Sequence, residues 1–308
     1  MILVHTPNPK EVATYLELFR AAMPEQLFVD VNEACLNAVR YLIVWGVPDG
    51  LIASLPRLEA IFALGAGVDK LLGRADLPDG MPLYRLLDSG MAGQMTEYVR
   101  YGVLGYQRNM DVYRRQQAAG QWRMLAPRPP ADVHVGILGL GEIGTAVAKA
   151  LVRDGYPVSG WSRSPKHIHS VHSLHGESGL EKLLETSQVV ACLLPSTPQT
   201  RGLLNGERLS LMQPGSMLIN AGRGDLVDQN ALLALLNNGH LRCAQLDVFA
   251  VEPLPHGHPL WHHPSVTVTP HIAAITLRQE AVAQIVGKLR QLARGEEADG
   301  RVQRQQGY

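Results

Sequence analysis

The sequence has 308 residues, 28 of them Lys or Arg and 28 Asp or Glu, so its formal net charge is zero. That length is enough for two domains that each bury a core, and the balanced charge disfavours nucleic acid or an anionic membrane as a partner. We therefore expect a small-molecule partner and, because no apolar run approaches bilayer length and no targeting segment is recognisable, a cytoplasmic location.

The first hundred residues predict a small domain of alternating strands and helices. A helix is predicted at residues 12–22, where apolar side chains recur at helical spacing. The short apolar runs that predict strands lie at residues 1–4, 27–31, 41–45 and 60–64. A long helix follows at about residues 95–119, after which a proline-rich crossing at 126–130 excludes helix and strand alike.

From residue 134 onward, apolar strands alternate with helices, which is the pattern of a parallel, doubly wound sheet. The predicted strands lie at residues 134–138, 157–161, 189–194, 217–220, 243–248 and 266–269. A last amphipathic helix, at residues 277–293, lets the chain return to the first domain. We therefore predict two Rossmann-like α/β domains, one of residues 1–97 and 276–308 and one of residues 98–275.

The segment 133–150 predicts a dinucleotide-binding turn. Apolar residues lead into Gly139, Gly141 and Gly144, after which the apolar spacing becomes helical. The first glycine permits a tight turn, the second lets the backbone approach a pyrophosphate, and the third lets the helix lie close to the strand. The unpaired amides that begin the helix, at Glu142 and Ile143, then face the phosphates. An ordinary glycine turn of an α/β protein is the alternative.

The loop after the second strand of this domain indicates which dinucleotide binds. A site that prefers NAD keeps an acidic residue about twenty residues beyond the glycines, to hold the ribose 2′-hydroxyl. Here the chain has instead Trp161, Ser162, Arg163 and Ser164, with Lys166 nearby. Because a guanidinium binds phosphate through paired hydrogen bonds, this loop predicts NADPH as cofactor, with NADH possible but weaker. The alternative is a solvated turn that happens to be basic.

Three polar residues follow three strands of the predicted sheet. Arg223, Glu252 and His271 each come shortly after the carboxyl end of a strand, where parallel sheets place their ligands. A carboxylate beside a histidine stabilises the imidazolium, which can then act as a general acid. We predict that these three residues form a catalytic site rather than structural contacts.

Two groups of metal-binding residue types are predicted not to bind metal. Four histidines recur in one serine-rich segment, at His167, His169, His172 and His175. Their spacing, without cysteine, is typical of an exposed connection, and a metal site is the disfavoured alternative. The three cysteines, Cys35, Cys192 and Cys243, lie far apart in sequence and are expected as reduced thiols in the core.

In the order and spacing of its motifs the chain resembles the D-isomer-specific 2-hydroxyacid dehydrogenases. The motifs that carry the resemblance are the glycine turn, the loop 65–69, the block 220–224 with Val227 and Asp228, the segment 246–253, and Thr269, Pro270 and His271. Within that family, Trp45, residues 161–164, residues 259–261 and the ending Gly307-Tyr308 are most similar to a branch that reduces glyoxylate and hydroxypyruvate.

The resemblance implies that residues 1–97 and 276–308 form a substrate-binding, flavodoxin-like domain and residues 98–275 an NAD(P)-binding Rossmann domain. It also implies roles for individual residues. Arg223, Glu252 and His271 are the implied catalytic set, and Arg223 and His271 also contact the substrate. The other implied substrate contacts are Trp45, which lines the pocket, and the amides of Ala66, Gly67 and Val68, which hold the carboxylate. Further cofactor contacts are expected from Pro195, Ala221, Gly222 and Asp247. Gly222 departs from the family, in which alanine or serine commonly precedes the arginine, so we expect a less fixed backbone there.

The function that these features imply is reduction of small 2-oxo acids by NADPH, with His271 as general acid. Glyoxylate would give glycolate, and hydroxypyruvate would give D-glycerate. The resemblance also implies a homodimer formed through the nucleotide-binding domain and the long helix before it. Two alternatives stay open: a dinucleotide-sensing binding protein of the co-repressor type, and a D-2-hydroxyacid dehydrogenase with a different substrate.

Overall fold

The computed structural model describes residues 1–304 and divides into two compact units. One unit consists of residues 1–90 and the segment from residue 276 onward, and the other consists of residues 91–275. Each unit is a parallel sheet flanked by helices, which confirms the predicted fold class. The predicted functional boundary at residues 97 and 98 stays a prediction, and Gly307 and Tyr308 lie outside the described residues.

The first unit is built on a five-stranded parallel sheet in the order β2-β1-β3-β4-β5. Its strands are β1 (Ile2–His5), β2 (Phe28–Val29), β3 (Tyr41–Val44), β4 (Ala60–Ala63) and β5 (Leu83–Tyr84). Its helices are α1 (Pro9–Ala22), α2 (Asp69–Leu72) and α9 (Arg278–Ala293). The C-terminal helix α9 packs on α1, as predicted, and Arg278 lies 3.5 Å from Glu11.

Local sequence explains where the first helix begins and which face it buries. The side chain of Asn8 accepts a hydrogen bond from the amide of Lys10, and Pro9 occupies a first-turn position at which no amide hydrogen is needed. The apolar face of α1 is buried, and Phe19 stacks on Phe28 with ring centroids 5.1 Å apart. The helix therefore covers one side of the sheet with its apolar face.

The second unit is built on a seven-stranded parallel sheet in the order β12-β11-β10-β9-β6-β7-β8. Its strands are β6 (Val135–Leu138), β7 (Val158–Ser162), β8 (His172–His175), β9 (Val189–Cys192), β10 (Ser216–Asn220), β11 (Leu241–Leu246) and β12 (Val266–Val268). Its helices are α3 (Met91–Gln107), α4 (Met110–Ala118), α5 (Glu142–Arg153), α6 (Gly176–Thr186), α7 (Gly206–Ser210) and α8 (Gln229–Asn237).

The register of three neighbouring strands aligns their carboxyl ends. Asn220, the last residue of β10, pairs with Leu246, the last residue of β11, and Leu246 pairs with Val268, the last residue of β12. Residues that follow these strands therefore emerge side by side at one edge of the sheet.

Two elements differ from the sequence prediction. The single helix expected at residues 95–119 is two helices, α3 and α4, because Asn109 adopts a left-handed conformation with φ of 57° and ends the helical path. The histidine-rich segment, expected as an exposed connection, contains the edge strand β8, which pairs with β7 through its backbone. Since β8 has no alternation of apolar and polar residues, the pattern gave no sign of a strand.

The structure places two of the three cysteines in the core. All three cysteines are free; Cys192 and Cys243 are buried, and burial raises the pKa of each thiol to about 12. Cys35 is exposed, so the expectation of a core thiol was wrong there, because it precedes a short 3-10 helix outside the sheet.

Within residues 1–304, no helix has both the length and the apolar character needed to cross a bilayer.

Candidate active site

His271 and Glu252 form a hydrogen-bonded pair at the carboxyl edge of the second sheet. The Nδ1 atom of His271 lies 2.9 Å from Oε2 of Glu252, and the other carboxylate oxygen accepts a hydrogen bond of 3.0 Å from the amide of Phe249. The carboxylate is thus held at both oxygens. When Nδ1 carries the hydrogen of this bond, Nε2 is the ring atom left for a substrate.

The backbone of His271 has an uncommon conformation that the structure stabilises. Its φ is 57°, in the left-handed region, where histidine occurs more often than most side chains but still infrequently. Its amide donates a 2.9 Å hydrogen bond to the carbonyl of Asp247, the residue that follows β11. The turn at the end of β12 is therefore tied to the end of β11.

The loop that carries Arg223 is fixed by a buried asparagine. The side chain of Asn220 donates a 3.0 Å bond to the carbonyl of Arg223 and accepts a 3.2 Å bond from the amide of Gly222. Asn220 is 1% exposed, so both bonds are sheltered from water. The loose backbone expected from Gly222 is therefore restrained by Asn220, for which the sequence predicts no role of its own. The Arg223 guanidinium donates a 2.8 Å hydrogen bond to the carbonyl of Gly222.

The glycine turn has the geometry that its spacing predicts. Gly139 has a φ of 106°, and a Cβ atom on Gly144 would lie 1.8 Å from the Gly139 carbonyl oxygen, so helix and strand are in direct contact. Helix α5 begins at Glu142 with Gly141 at its N-cap, and a Cβ on Gly141 would meet no other atom within 4 Å. Open space therefore lies beside Gly141 at the start of α5, and the amides of a helix start suit a phosphate.

The loop after β7 brings a second cation beside the glycine turn. The ammonium of Lys166 donates a 2.5 Å hydrogen bond to the carbonyl of Leu140, between Gly139 and Gly141. Arg163 and Ser164 are exposed, whereas the Ser162 hydroxyl turns inward to the Ser164 carbonyl, 2.8 Å away, and the Trp161 indole donates to Gly176. Lys166 was noted in the sequence as a nearby charge, but only the fold places it at the turn.

The remaining predicted cofactor residues lie at the carboxyl edges of β9, β10 and β11. Pro195 is half-buried, and its carbonyl accepts a 2.6 Å bond from Thr200. Ala221 and Gly222 are buried directly after β10. Asp247 is 1% exposed, and its carboxylate accepts hydrogen bonds from Thr269 and from the amides of Ile272 and Ala273. The cofactor contacts of these four residues stay predictions.

The predicted substrate residues of the first unit lie together. The Trp45 indole packs against Gly65, where an added Cβ would lie 2.4 Å from the ring. A side chain at position 65 would therefore displace the tryptophan. The next three residues, Ala66, Gly67 and Val68, lead into α2. Within residues 1–304, no acceptor in the chain takes the amide hydrogens of these three residues. Such a run of amides suits an anionic group.

The histidine-rich segment does not gather metal ligands. His172 and His175 lie on the edge strand β8, and His167 and His169 precede it in an exposed turn. Over residues 1–304, no group of three or more His, Cys, Asp or Glu side chains has an arrangement that could hold a metal ion.

A doubly wound sheet with a glycine turn, and charged residues at its carboxyl edge, is the architecture of a nucleotide-dependent dehydrogenase. Residues 101–273 match the NAD binding domain of the D-isomer specific 2-hydroxyacid dehydrogenases. This match covers more than half of the chain, and the chain belongs to that family.

Curated and solved relatives agree with this assignment. The glyoxylate/hydroxypyruvate reductase A of Photorhabdus laumondii is 44% identical over 273 residues, which are 87% of each chain. A D-isomer specific 2-hydroxyacid dehydrogenase from Xanthobacter autotrophicus Py2, solved with NADPH and MES, superposes with a TM-score of 0.95 at 40% identity, covering 100% of this chain and 99% of that one. The NADPH-dependent glyoxylate/hydroxypyruvate reductase of Sinorhizobium meliloti, solved with NADP and sulfate, gives 0.92 at 31% identity with the same coverage.

Proposed function

We propose that this protein reduces small 2-oxo acids with NADPH, converting glyoxylate to glycolate and hydroxypyruvate to D-glycerate. The observation that carries the proposal is the His271–Glu252 pair, which presents a histidine as an acid at the carboxyl edge of a dinucleotide-binding sheet. The names of the relatives in Photorhabdus and Sinorhizobium support the substrate class.

His271 is the general acid in this proposal. NADPH, when held by the glycine turn and the loop after β7, would supply the hydride that reduces the carbon of the 2-oxo group. His271 Nε2 gives its proton to the carbonyl oxygen as negative charge develops there, and the ring is reprotonated from solvent, so the reaction consumes one proton. Glu252 keeps the ring oriented through Nδ1.

Arg223 binds and polarises the substrate. Its guanidinium is a fixed positive charge that suits the carboxylate and carbonyl oxygens of a 2-oxo acid. Its Nη1 donates a hydrogen bond to the Gly222 carbonyl, and a guanidinium carries five N–H donors in all. A cation near the carbonyl oxygen stabilises the charge that grows there as the carbonyl is reduced.

The first unit supplies amides for the substrate carboxylate. The run of amides at Ala66, Gly67 and Val68 matches the chemistry of a carboxylate, and Trp45 beside Gly65 limits the space next to it. A bulky tryptophan in this place favours short side chains, which is why we place glyoxylate and hydroxypyruvate before larger 2-oxo acids.

The glycine turn and the loop after β7 bind the dinucleotide. The amides at Gly141, Glu142 and Ile143 hold the pyrophosphate, and Arg163 binds the 2′-phosphate with the help of Lys166 and the serines around it. The absence of an acidic residue in this loop removes the group that would favour NADH.

We infer that two copies of the chain pair through the second unit. Tyr101 and Leu104 of α3 and Met110 of α4 are exposed apolar side chains beside a groove of about 450 Å³. Apolar patches of this kind are typical of interfaces. Light scattering after size exclusion should give a dimer for the wild type and a monomer for Leu104→Asp; a wild-type monomer at assay concentration would contradict the inference.

The activity is tested by following the oxidation of NADPH, and separately of NADH, with glyoxylate, hydroxypyruvate, pyruvate and phenylpyruvate. We expect rapid NADPH oxidation with glyoxylate and hydroxypyruvate and slower oxidation of NADH. Tight NADPH binding without turnover on any 2-oxo acid would favour a dinucleotide-sensing binding protein instead.

A further inference from the structure

The buried carboxylate of Asp247 holds the segment that carries His271. Its Oδ1 accepts a 2.7 Å bond from the Thr269 hydroxyl and a 2.8 Å bond from the amide of Ile272, and its Oδ2 accepts a 2.9 Å bond from the amide of Ala273. Its backbone carbonyl accepts a 2.9 Å hydrogen bond from the amide of His271 itself. One residue at the end of β11 thus makes four hydrogen bonds to the five-residue stretch around the histidine.

The hydroxyl of Tyr98 extends this network into helix α3. Tyr98 Oη lies 2.7 Å from Thr269 Oγ1. Because the Thr269 hydrogen is given to the Asp247 carboxylate, Tyr98 is the donor in this contact. Burial raises the pKa of Tyr98 to about 12, so the phenol keeps its hydrogen throughout the neutral range.

The place of Tyr98 is itself fixed against the sheet. Its backbone carbonyl accepts a 3.1 Å bond from the side chain of Gln245 in β11, two residues before Asp247. One end of the network, Tyr98, lies in helix α3, the other, Asp247, directly follows β11, and Thr269 lies between them. This arrangement restrains a loop residue from two sides.

The left-handed conformation of His271 explains why such a restraint matters. A non-glycine residue with φ near 57° keeps that conformation only where the surrounding structure restrains it. The amides of the two residues that follow His271 donate hydrogen bonds to the Asp247 carboxylate. These bonds hold the turn in the position from which the ring contacts Glu252.

We propose that Tyr98, Thr269 and Asp247 form a hydrogen-bonded relay that positions the His271 turn for proton transfer. They are positioning residues: they act through His271 and do not touch the reacting atoms. The inference rests on the proposed function, in which His271 is the acid. It assigns to Asp247 a role in placing the histidine, in addition to the cofactor contact that the sequence predicts.

A double-mutant cycle tests whether Tyr98 acts through His271. Tyr98→Phe removes the donor and keeps the ring, and we expect kcat to fall about 3- to 10-fold with the KM for NADPH changed by less than about twofold. In a His271→Gln background the same substitution should leave the residual rate unchanged, because the residue through which it acts is gone. Tyr156→Phe, which removes a tyrosine hydroxyl that donates to Gln107 elsewhere in the second unit, is the matched control and should leave kcat unchanged. Equal losses in both backgrounds, or no loss of kcat in Tyr98→Phe, would overturn the relay.

Substitutions of Thr269 separate the hydroxyl from the shape of the side chain. Thr269→Val keeps the shape and removes both bonds, and we expect kcat to fall about tenfold or more. Thr269→Ser keeps the hydroxyl and should recover most of that loss. If serine is no better than valine, the hydroxyl is not the positioning group.

A measurement without substrate keeps this inference distinguishable from the proposed function. In protein labelled with nitrogen-15 at histidine, the His271 ring signals, identified by their absence in His271→Gln, report the contact with Glu252. We expect them to move in Tyr98→Phe and Thr269→Val and to return in Thr269→Ser. If they move while the protein reduces no 2-oxo acid, the relay stands and the proposed function falls. If they stay in place, the relay falls whatever the activity.

Discussion

Gly224 lies directly against the backbone of Phe249: a Cβ atom built on the glycine would be 1.8 Å from the Phe249 carbonyl carbon and 2.1 Å from its oxygen. Gly224 follows Arg223, and the amide of Phe249 donates to the carboxylate of Glu252. The loops of two candidate catalytic residues are therefore in contact because one residue has no side chain.

This contact predicts that Gly224→Ala separates the two loops. Backbone atoms cannot yield as a side chain does, so we expect a loss of about 1–3 kcal/mol in stability from overpacking. A displacement near 1 Å at the site would also lower kcat/KM on the order of 100-fold. Gly287→Ala in α9, where a Cβ meets nothing within 4 Å, is the control for thermal unfolding and steady-state kinetics. Wild-type activity in Gly224→Ala would show that the spacing of the loops is unimportant.

His271→Gln is expected to lose most turnover. An amide cannot serve as general acid, so kcat should fall about 100- to 10,000-fold, while the affinity for NADPH, measured by fluorescence titration, should stay within about threefold. His262→Gln changes an exposed histidine outside the pair and should behave as wild type. A His271→Gln enzyme with undiminished kcat would remove the histidine from the mechanism.

Arg163→Ala is expected to discriminate between the two dinucleotides. Loss of a charge-assisted contact with the 2′-phosphate should raise the KM for NADPH about 10- to 100-fold, and the KM for NADH, which has no such phosphate, should change little. Arg153→Ala, an exposed arginine in the last turn of α5, is the matched control. Equal losses with both cofactors would mean that Arg163 does not bind the phosphate.

Asp111 is expected to make stability depend on pH at the acid end. Burial raises the pKa of this carboxyl, but the hydrogen bonds and charge of Arg242, with Arg115 nearby, outweigh that effect and hold the pKa below its usual range. A lowered pKa in the folded state stabilises the fold above the ordinary carboxyl value, near pH 4, and the stabilisation is lost as the pH falls toward the folded-state value.

The variant Asp111→Asn isolates this contribution. At pH 7 it leaves the half-buried Arg242 without its counter-charge, so we expect a loss of about 1–3 kcal/mol in the free energy of unfolding of the second unit. The difference from wild type should shrink as the pH is lowered below about 4. Asp49→Asn, at a fully exposed carboxylate, should be neutral in the same denaturant titrations. A difference that grows toward acid pH would reverse the assigned sign.

Some sequence predictions failed for identifiable reasons. The break between α3 and α4 depends on the left-handed conformation of Asn109, a single backbone angle that helical periodicity cannot reveal because helix continues on both sides of it. The strand β8 is formed by backbone hydrogen bonds to β7 at the edge of the sheet, and its polar sequence, His172–His175, carries no strand pattern. His172 and His175 are exposed residues of this edge strand.

The sequence by itself determined the fold class and the dinucleotide turn, because the alternation of strands with helices and the spacing of Gly139, Gly141 and Gly144 are local properties of the chain. It also singled out Arg223, Glu252 and His271, since each follows a strand and parallel strands end at one edge. Only the tertiary structure decided what holds these residues: the contact at Gly224, the asparagine beneath the arginine loop and the relay from Tyr98 to Asp247. Those contacts join residues far apart in the chain, and their distances are set by how helices and strands pack, which no local pattern encodes.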